Sequence, residues 1–189
     1  PSKAPEPNFQ LEALVPVVRG EMRCRIHAHR SDDIMTAVKI AEEFHLDYTI
    51  EHCTEGYMIV DALKRHHVRA TIGPYLWGPE KQELWNMSME NPGILAQNGI
   101  DIALTADDGS RTAYLPATIG LLLRRGLSEK AAFEGVTIQP ARTLQLEDRI
   151  GSLEPGKDAD IAIFDGHPFS SLSACRMTII DGKIVHNTL

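Results

Sequence analysis

The sequence predicts an α/β protein: strand–helix repeats forming a parallel sheet with helices outside it, then a small all-β unit. Three observations predict this. Four short apolar runs end in polar tips, and each is followed by a segment with helical spacing. The texture then changes at Gly151-Ser152-Leu153-Glu154-Pro155-Gly156-Lys157, a turn-rich link beyond which only strand-like runs occur. Finally, 189 residues that are 43% hydrophobic and 24% charged suffice for a buried core in an ordinary globular chain. Alternation alone leaves two arrangements open, an open sheet or one half of an eight-stranded barrel.

Taken in order, Pro1 to Pro7 is proline-rich and reads as an exposed linker over residues 1–10, leading into a helical run from Leu11 to Arg19. Met22 to Ala28 reads as a buried strand ending in His27-Ala28-His29-Arg30. Ile34, Ala37, Val38, Ala41 and Phe44 then recur at helical spacing, with Asp32 or Asp33 as the expected cap. Asp47 to His52 is a second strand and Tyr57 to His67 a second helix. Val68 to Ile72 is a third strand, closed by Gly73-Pro74. Tyr75 to Glu90 holds both tryptophans and has little periodicity; a connection of that length is usually functional, often a lid or pocket wall. Asn91 to Asn98 is a short helix stopped by Gly99, and Ile100 to Thr105 is the fourth strand. Helical runs follow at Tyr114–Arg125, Ser128–Val136 and Pro140–Leu146, with Ser128 as an N-cap. Asp160 to Phe164 is a strand, and Met177 to His186 is a hairpin about Asp181-Gly182.

A net charge of -7 with no Lys/Arg run argues against a nucleic-acid surface. No stretch reaches the apolar length of a membrane span. Cys24, Cys53 and Cys175 are odd in number and widely spaced, and they read as reduced thiols of a cytoplasmic protein.

Chemistry gathers at the strand ends, where parallel α/β sheets place their ligands. His27, His52 and Asp107 each end a different strand, as a divalent metal site built from several elements requires. Asp107 also suits the role of proton acceptor from water. Each has a plainer use: strand-end histidines are commonly hydrogen-bonded structural groups, and Asp107-Asp108 before Gly109-Ser110 could be a turn. The conjunction of three at one end of successive strands favours the metal. His29 shares the face of His27 if the strand continues, and Arg30 suits a substrate carboxylate. Glu51 points oppositely and reads as a structural ion pair, and Cys53 as an apolar filler. Trp77, Trp85 and Tyr75 could wall a pocket or pack on outer helices. There is no phosphate loop, nucleophile elbow or His-Glu-x-x-His helix.

The runs IHAHRSDDIMTAVKIAEEF, TIEHCTEGY, ALTADDGS, TIQPARTLQLEDRIGSLEPGKDADIAIFDGHP and MTIIDGKIVH resemble the C-terminal half of the metal-dependent amidohydrolase superfamily, in its imidazolonepropionase-like branch. The resemblance implies strands five to eight of a TIM (β/α)8 barrel over residues 11–150 and part of a small β-sandwich over 151–189. It implies metal ligation by His27, a ligand or catalytic role for His52, a ligand and proton-acceptor role for Asp107, and substrate contacts by His29 and Arg30. The implied activity is metal-dependent hydrolysis of a non-peptide C–N bond, in a cyclic amide or acyl–amino acid, through metal-activated water. Zinc is the default for His/Asp ligation, as one or two ions, with iron, manganese and nickel open. The superfamily's His-x-His of strand one and its strand-four lysine or glutamate have no counterpart here. The expectation is therefore a fragment whose N-terminal half lies elsewhere, or two copies paired as a homo-oligomer. Taken alone, the segment is expected to be inactive. A deaminase on the same fold and a non-catalytic dimeric remnant that binds a ligand or partner are the alternatives.

Overall fold

The computed structural model describes residues 6–76, 78 and 80–189, so Trp77 and the first five residues of the expected linker lie outside the described residues. Four strands, β1 (Cys24–Ala28), β2 (Tyr48–His52), β3 (Ala70–Ile72) and β4 (Ile102–Leu104), form one parallel sheet in sequential order. The register aligns their ends: Ala28 pairs with His52, His52 with Ile72, and Ile72 with Leu104. Everything that follows a strand therefore emerges along a single rim. This is the arrangement of half of a (β/α)8 barrel.

The two faces of the sheet differ in chemistry because side chains alternate along a strand. Ile26, Ala28, Ile50, Ala70, Ile72, Ile102 and Leu104 pack with Ile34, Val38, Leu63, Leu95 and Ile119 into one apolar core. At the alternate positions Arg25 donates two hydrogen bonds to Glu51 (2.8 and 2.6 Å), and the Thr71 hydroxyl donates to the same carboxylate (3.2 Å). Glu51 is thus held in the ion pair that its position suggested.

The N-terminal helical run is split into α1 (Phe9–Glu12) and α2 (Val15–Val18). Pro16, with no N–H, cannot donate to Glu12 and continue the first helix. Helix α3 (Ser31–Glu43) begins earlier than expected. Arg30 occupies the N-cap position, Asp32 and Asp33 lie in the first turn, and no side chain of the segment itself caps it. The missing acceptor comes from another element: Glu55 Oε2 takes the Ser31 N–H at 2.7 Å. After β2, a 3-10 turn (Gly56–Ile59) precedes α4 (Val60–Arg65), where one longer helix was expected.

The remaining helices are α5 (Asn91–Gln97), α6 (Leu115–Arg124), α7 (Glu129–Val136) and α8 (Ile138–Thr143). Ser128 caps α7 as predicted, its Oγ accepting from the Ala131 N–H. Helix α8 starts ahead of Pro140, which is tolerated in a first turn because its lost donor was unsatisfied anyway.

Helices α3 to α6 and α8 end alike. His45, His67, Gly99, Gly126 and Gln145 adopt positive φ, and the next residue donates backward: Leu46 to Ala41, Val68 to Leu63, Ile100 to Leu95, Leu127 to Leu122, Leu146 to Ala141. These are Schellman closures with an apolar residue just past the turn.

The C-terminal strands β5 (Ile161–Phe164), β6 (Cys175–Ile180) and β7 (Lys183–Asn187) form a separate antiparallel sheet. Asp181 and Gly182 both have positive φ, as the tight hairpin turn requires. The β5–β6 connection anchors this sheet to the helices. Phe169 is buried in the core against Phe133 (ring centroids 4.8 Å apart), and a Cβ at Gly120 would lie 2.3 Å from the Phe169 carbonyl oxygen. Among the described residues no helix is long and apolar enough to cross a membrane.

Candidate metal centre

Three imidazoles meet where β1 and β2 end. The His27, His29 and His52 rings lie with centroids 4.4 to 4.7 Å apart, and one ring nitrogen from each falls within 4.8 Å of the others. The backbone builds this. His52 ends β2 with φ +70 and Cys53 follows at φ +43, so the chain turns sharply at the rim. The turn is fastened to the end of β1: Cys53 N–H donates to Ala28 O (3.0 Å) and Glu55 N–H to His29 O (2.9 Å).

Ring orientation is fixed from behind. His52 Nδ1 lies 2.6 Å from the Gly73 carbonyl oxygen, which can only accept, so Nδ1 carries a hydrogen and Nε2 is the nitrogen that faces Asp107. His29 Nδ1 contacts the Thr54 hydroxyl at 2.7 Å, in a buried setting, leaving its Nε2 for the cluster. Metal-binding histidines are characteristically oriented by such a bond on the second nitrogen. Gly73 can reach this position because it has no side chain: at φ +129, a Cβ would lie 2.2 Å from Thr105 O.

Electrostatics disfavour the charged form of two of the rings. Burial and the facing His52 and His27 rings pull His29 down to about 4, and burial with His52 also lowers His27. Neutral imidazole is the ligating form. A carboxylate completes one side: Asp107 follows β4 at φ +52, and its Oδ2 lies 4.0 Å from His52 Nε2. Three nitrogen donors with a carboxylate beside them fit a divalent cation of the zinc type, so the residues suit the metal dependence general to the superfamily.

The remaining sequence candidates fall as follows. Arg30 is half exposed and pairs with Asp32 of its own helix at 3.0 Å, outside the pocket wall. Asp108 is a turn residue, accepting from the Ser110 N–H at 2.6 Å. Cys53 is wholly buried and its thiol is pushed up to about 12 by that burial, so it is an inert filler. Tyr75 is buried in the core, while Trp85 is 67% exposed.

The histidines and Asp107 line a cavity of about 90 Å³, together with Glu80, Lys81, Leu84 and Met87 from the irregular connection. Sequence reasoning missed Glu83, whose Oε1 lies 3.7 Å from His29 Nε2, and also Thr54, Gly73 and Glu55. Only the aperiodicity of residues 75–90 had marked that region.

The chain matches the amidohydrolase family over residues 11–186, and it belongs to that family. Its fold is that of an amidohydrolase from Thermotoga maritima MSB8, at TM-score 0.90 and 38% identity, over 98% of this chain and 49% of that one. It is 35% identical over 103 residues to the imidazolonepropionase of Geobacillus thermodenitrificans (strain NG80-2), covering 49% of this chain and 24% of that protein. Adenine deaminase 2 of Jannaschia sp. (strain CCS1) is 41% identical over 88 residues, 44% of this chain and 14% of that protein. The chain thus spans about half of the solved relative and about a quarter or less of these two curated ones.

Proposed function

We propose that this chain is the C-terminal half of the catalytic barrel of a metal-dependent hydrolase that cleaves a non-peptide C–N bond in a cyclic amide or acyl–amino acid. The observation that carries the reading is the convergence of three imidazoles at the strand rim, with Asp107 beside His52. His27, His52 and Asp107 hold the cation, with His29 in the same cluster. A divalent cation there supplies a Lewis acid that polarises a carbonyl and acidifies water. Asp107, its side chain half exposed, takes the proton of the attacking water and returns it to the leaving nitrogen. Arg30 would exchange Asp32 for a substrate carboxylate. The other half of the barrel, on the same polypeptide or on a second copy, completes the pocket and covers the free edges of β1 and β4.

The test is hydrolysis of a panel of N-acyl amino acids and small lactam or imide rings by the protein, stripped of metal and then reconstituted with Zn2+. Turnover that vanishes on stripping and returns with metal supports the reading, and metal-independent turnover overturns it. The match to adenine deaminase 2 favours a second reading, deamination of an aminated ring. Free ammonia as the leaving group distinguishes it.

A further inference from the structure

The connection between β3 and α5 carries a second carboxylate, besides Asp107, to the histidine cluster. Glu83 sits in the 3-10 turn Gln82–Leu84, and its Oε1 is 3.7 Å from His29 Nε2, the nitrogen that Thr54 leaves unused. Lys81 Nζ lies 3.3 Å from the same oxygen and fixes the position of the carboxylate. The turn is pinned just after Glu83. Leu84 is buried at the pocket wall, and Asn86 Nδ2 donates to Glu55 Oε1 at 2.8 Å. Glu55 in turn caps α3 at Ser31, two residues past His29. The connection and the histidine that it faces therefore share one scaffold.

We infer that Glu83 is a further metal ligand, delivered by the 75–90 connection and paired with His29 as Asp107 is paired with His52. This inference rests on the metal reading above and extends it. An imidazole nitrogen and a carboxylate oxygen a few ångströms apart, each side chain fixed by a second contact, are what a hard-to-borderline divalent cation takes as neighbouring ligands. The consequence is that metal binding ties the Gln82–Leu84 turn, and with it part of the pocket lining, to the histidine cluster.

The experiment titrates the metal-stripped protein with Zn2+ against a chromogenic chelator, and with Co2+ followed by visible absorption. Wild type, Glu83→Gln and His52→Ala are compared. Both tryptophans of this chain, Trp77 and Trp85, belong to the connection, so their emission reports on it directly. The expected result is roughly 10- to 100-fold weaker Zn2+ binding in Glu83→Gln, a changed Co2+ spectrum, and loss of the metal-induced change in tryptophan emission. If Glu83→Gln matches wild type in affinity and spectrum while His52→Ala loses the metal, the inference fails and the metal centre stands. If wild type takes up no metal, both fall. Glu83 is outside the core, so the metal-free variant keeps the wild-type melting temperature, and the comparison is between folded proteins.

Discussion

Glu55 is the residue whose removal tests most directly how the fold supports the rim. Its side chain is buried, with one oxygen taking the Ser31 N–H at 2.7 Å and the other the Asn86 amide at 2.8 Å. Glu55→Ala leaves α3 without its cap and frees the 75–90 connection from its anchor. A lost cap costs about 1 kcal/mol. A lost charge-assisted bond in a part-buried setting costs roughly 1.5–3 kcal/mol. The sum is about 3 kcal/mol, or a fall of roughly 6–12 °C in Tm for a chain of this size. Glu55→Gln keeps one acceptor and should lose about half as much. Thermal unfolding followed by circular dichroism reads both. A Glu55→Ala protein that melts within a degree or two of wild type refutes the linkage.

The same residue fixes a pH dependence. Burial pulls the Glu55 carboxyl upward, but the Ser31 N–H and the Asn86 amide outweigh it and leave it below the ordinary glutamate value. An acid held below its unfolded value contributes stability that is complete above the unfolded pKa, about 4.3. That stability is lost as pH falls through the folded value. The acid limb of the wild-type curve should therefore be steeper than that of Glu55→Gln.

Three further outcomes follow from the structure. Gly73→Ala forces a Cβ against Thr105 O in a backbone region that only glycine adopts easily, and should cost at least about 2 kcal/mol. Because Gly73 O orients His52, it should also weaken Zn2+ binding roughly tenfold, read by chelator competition. Arg23→Ala removes a mostly buried guanidinium that donates to Asp47 Oδ2 (2.9 Å) and to the Arg142 and Thr143 carbonyls at the end of α8. It should lower stability by about 2–3 kcal/mol in denaturant titration while leaving metal affinity unchanged, since this lock sits at the opposite end of the strands. His27→Ala and Asp107→Ala should abolish turnover in the complete protein with unchanged circular dichroism, and normal turnover by either removes that residue from the site.

Much of the body was legible because its signals are local. Strand ends, Schellman glycines such as Gly99 and Gly126, the Ser128 cap and the Asp181-Gly182 turn each announce themselves within a few residues. Three strands start later than their apolar runs suggest, for one shared reason. Val68 and Ile100 are apolar and look like first strand residues, but their N–H groups close the preceding helix by bonding to Leu63 and Leu95. The sheet then begins two residues later. Met22 is likewise spent on Pro16 O, so pairing starts at Cys24. At the site, His27, His52 and Asp107 stood out as polar residues at apolar run ends. Glu83, Thr54 and Gly73 did not, because their contacts join segments that carry no periodic signal. The cap of α3 was assigned to Asp32 or Asp33 because a tertiary cap such as Glu55 leaves no trace in the neighbouring sequence.

The central claim is that the strand-rim histidines form the metal centre of a hydrolase, and bound metal is its most direct measure. The protein is dialysed exhaustively against metal-free buffer and its metal content determined, beside His27→Ala and His52→Ala. The account predicts roughly one or more divalent ions retained per wild-type chain and little in either variant. A wild-type protein stripped by dialysis alone, or variants that retain as much metal as wild type, would contradict it.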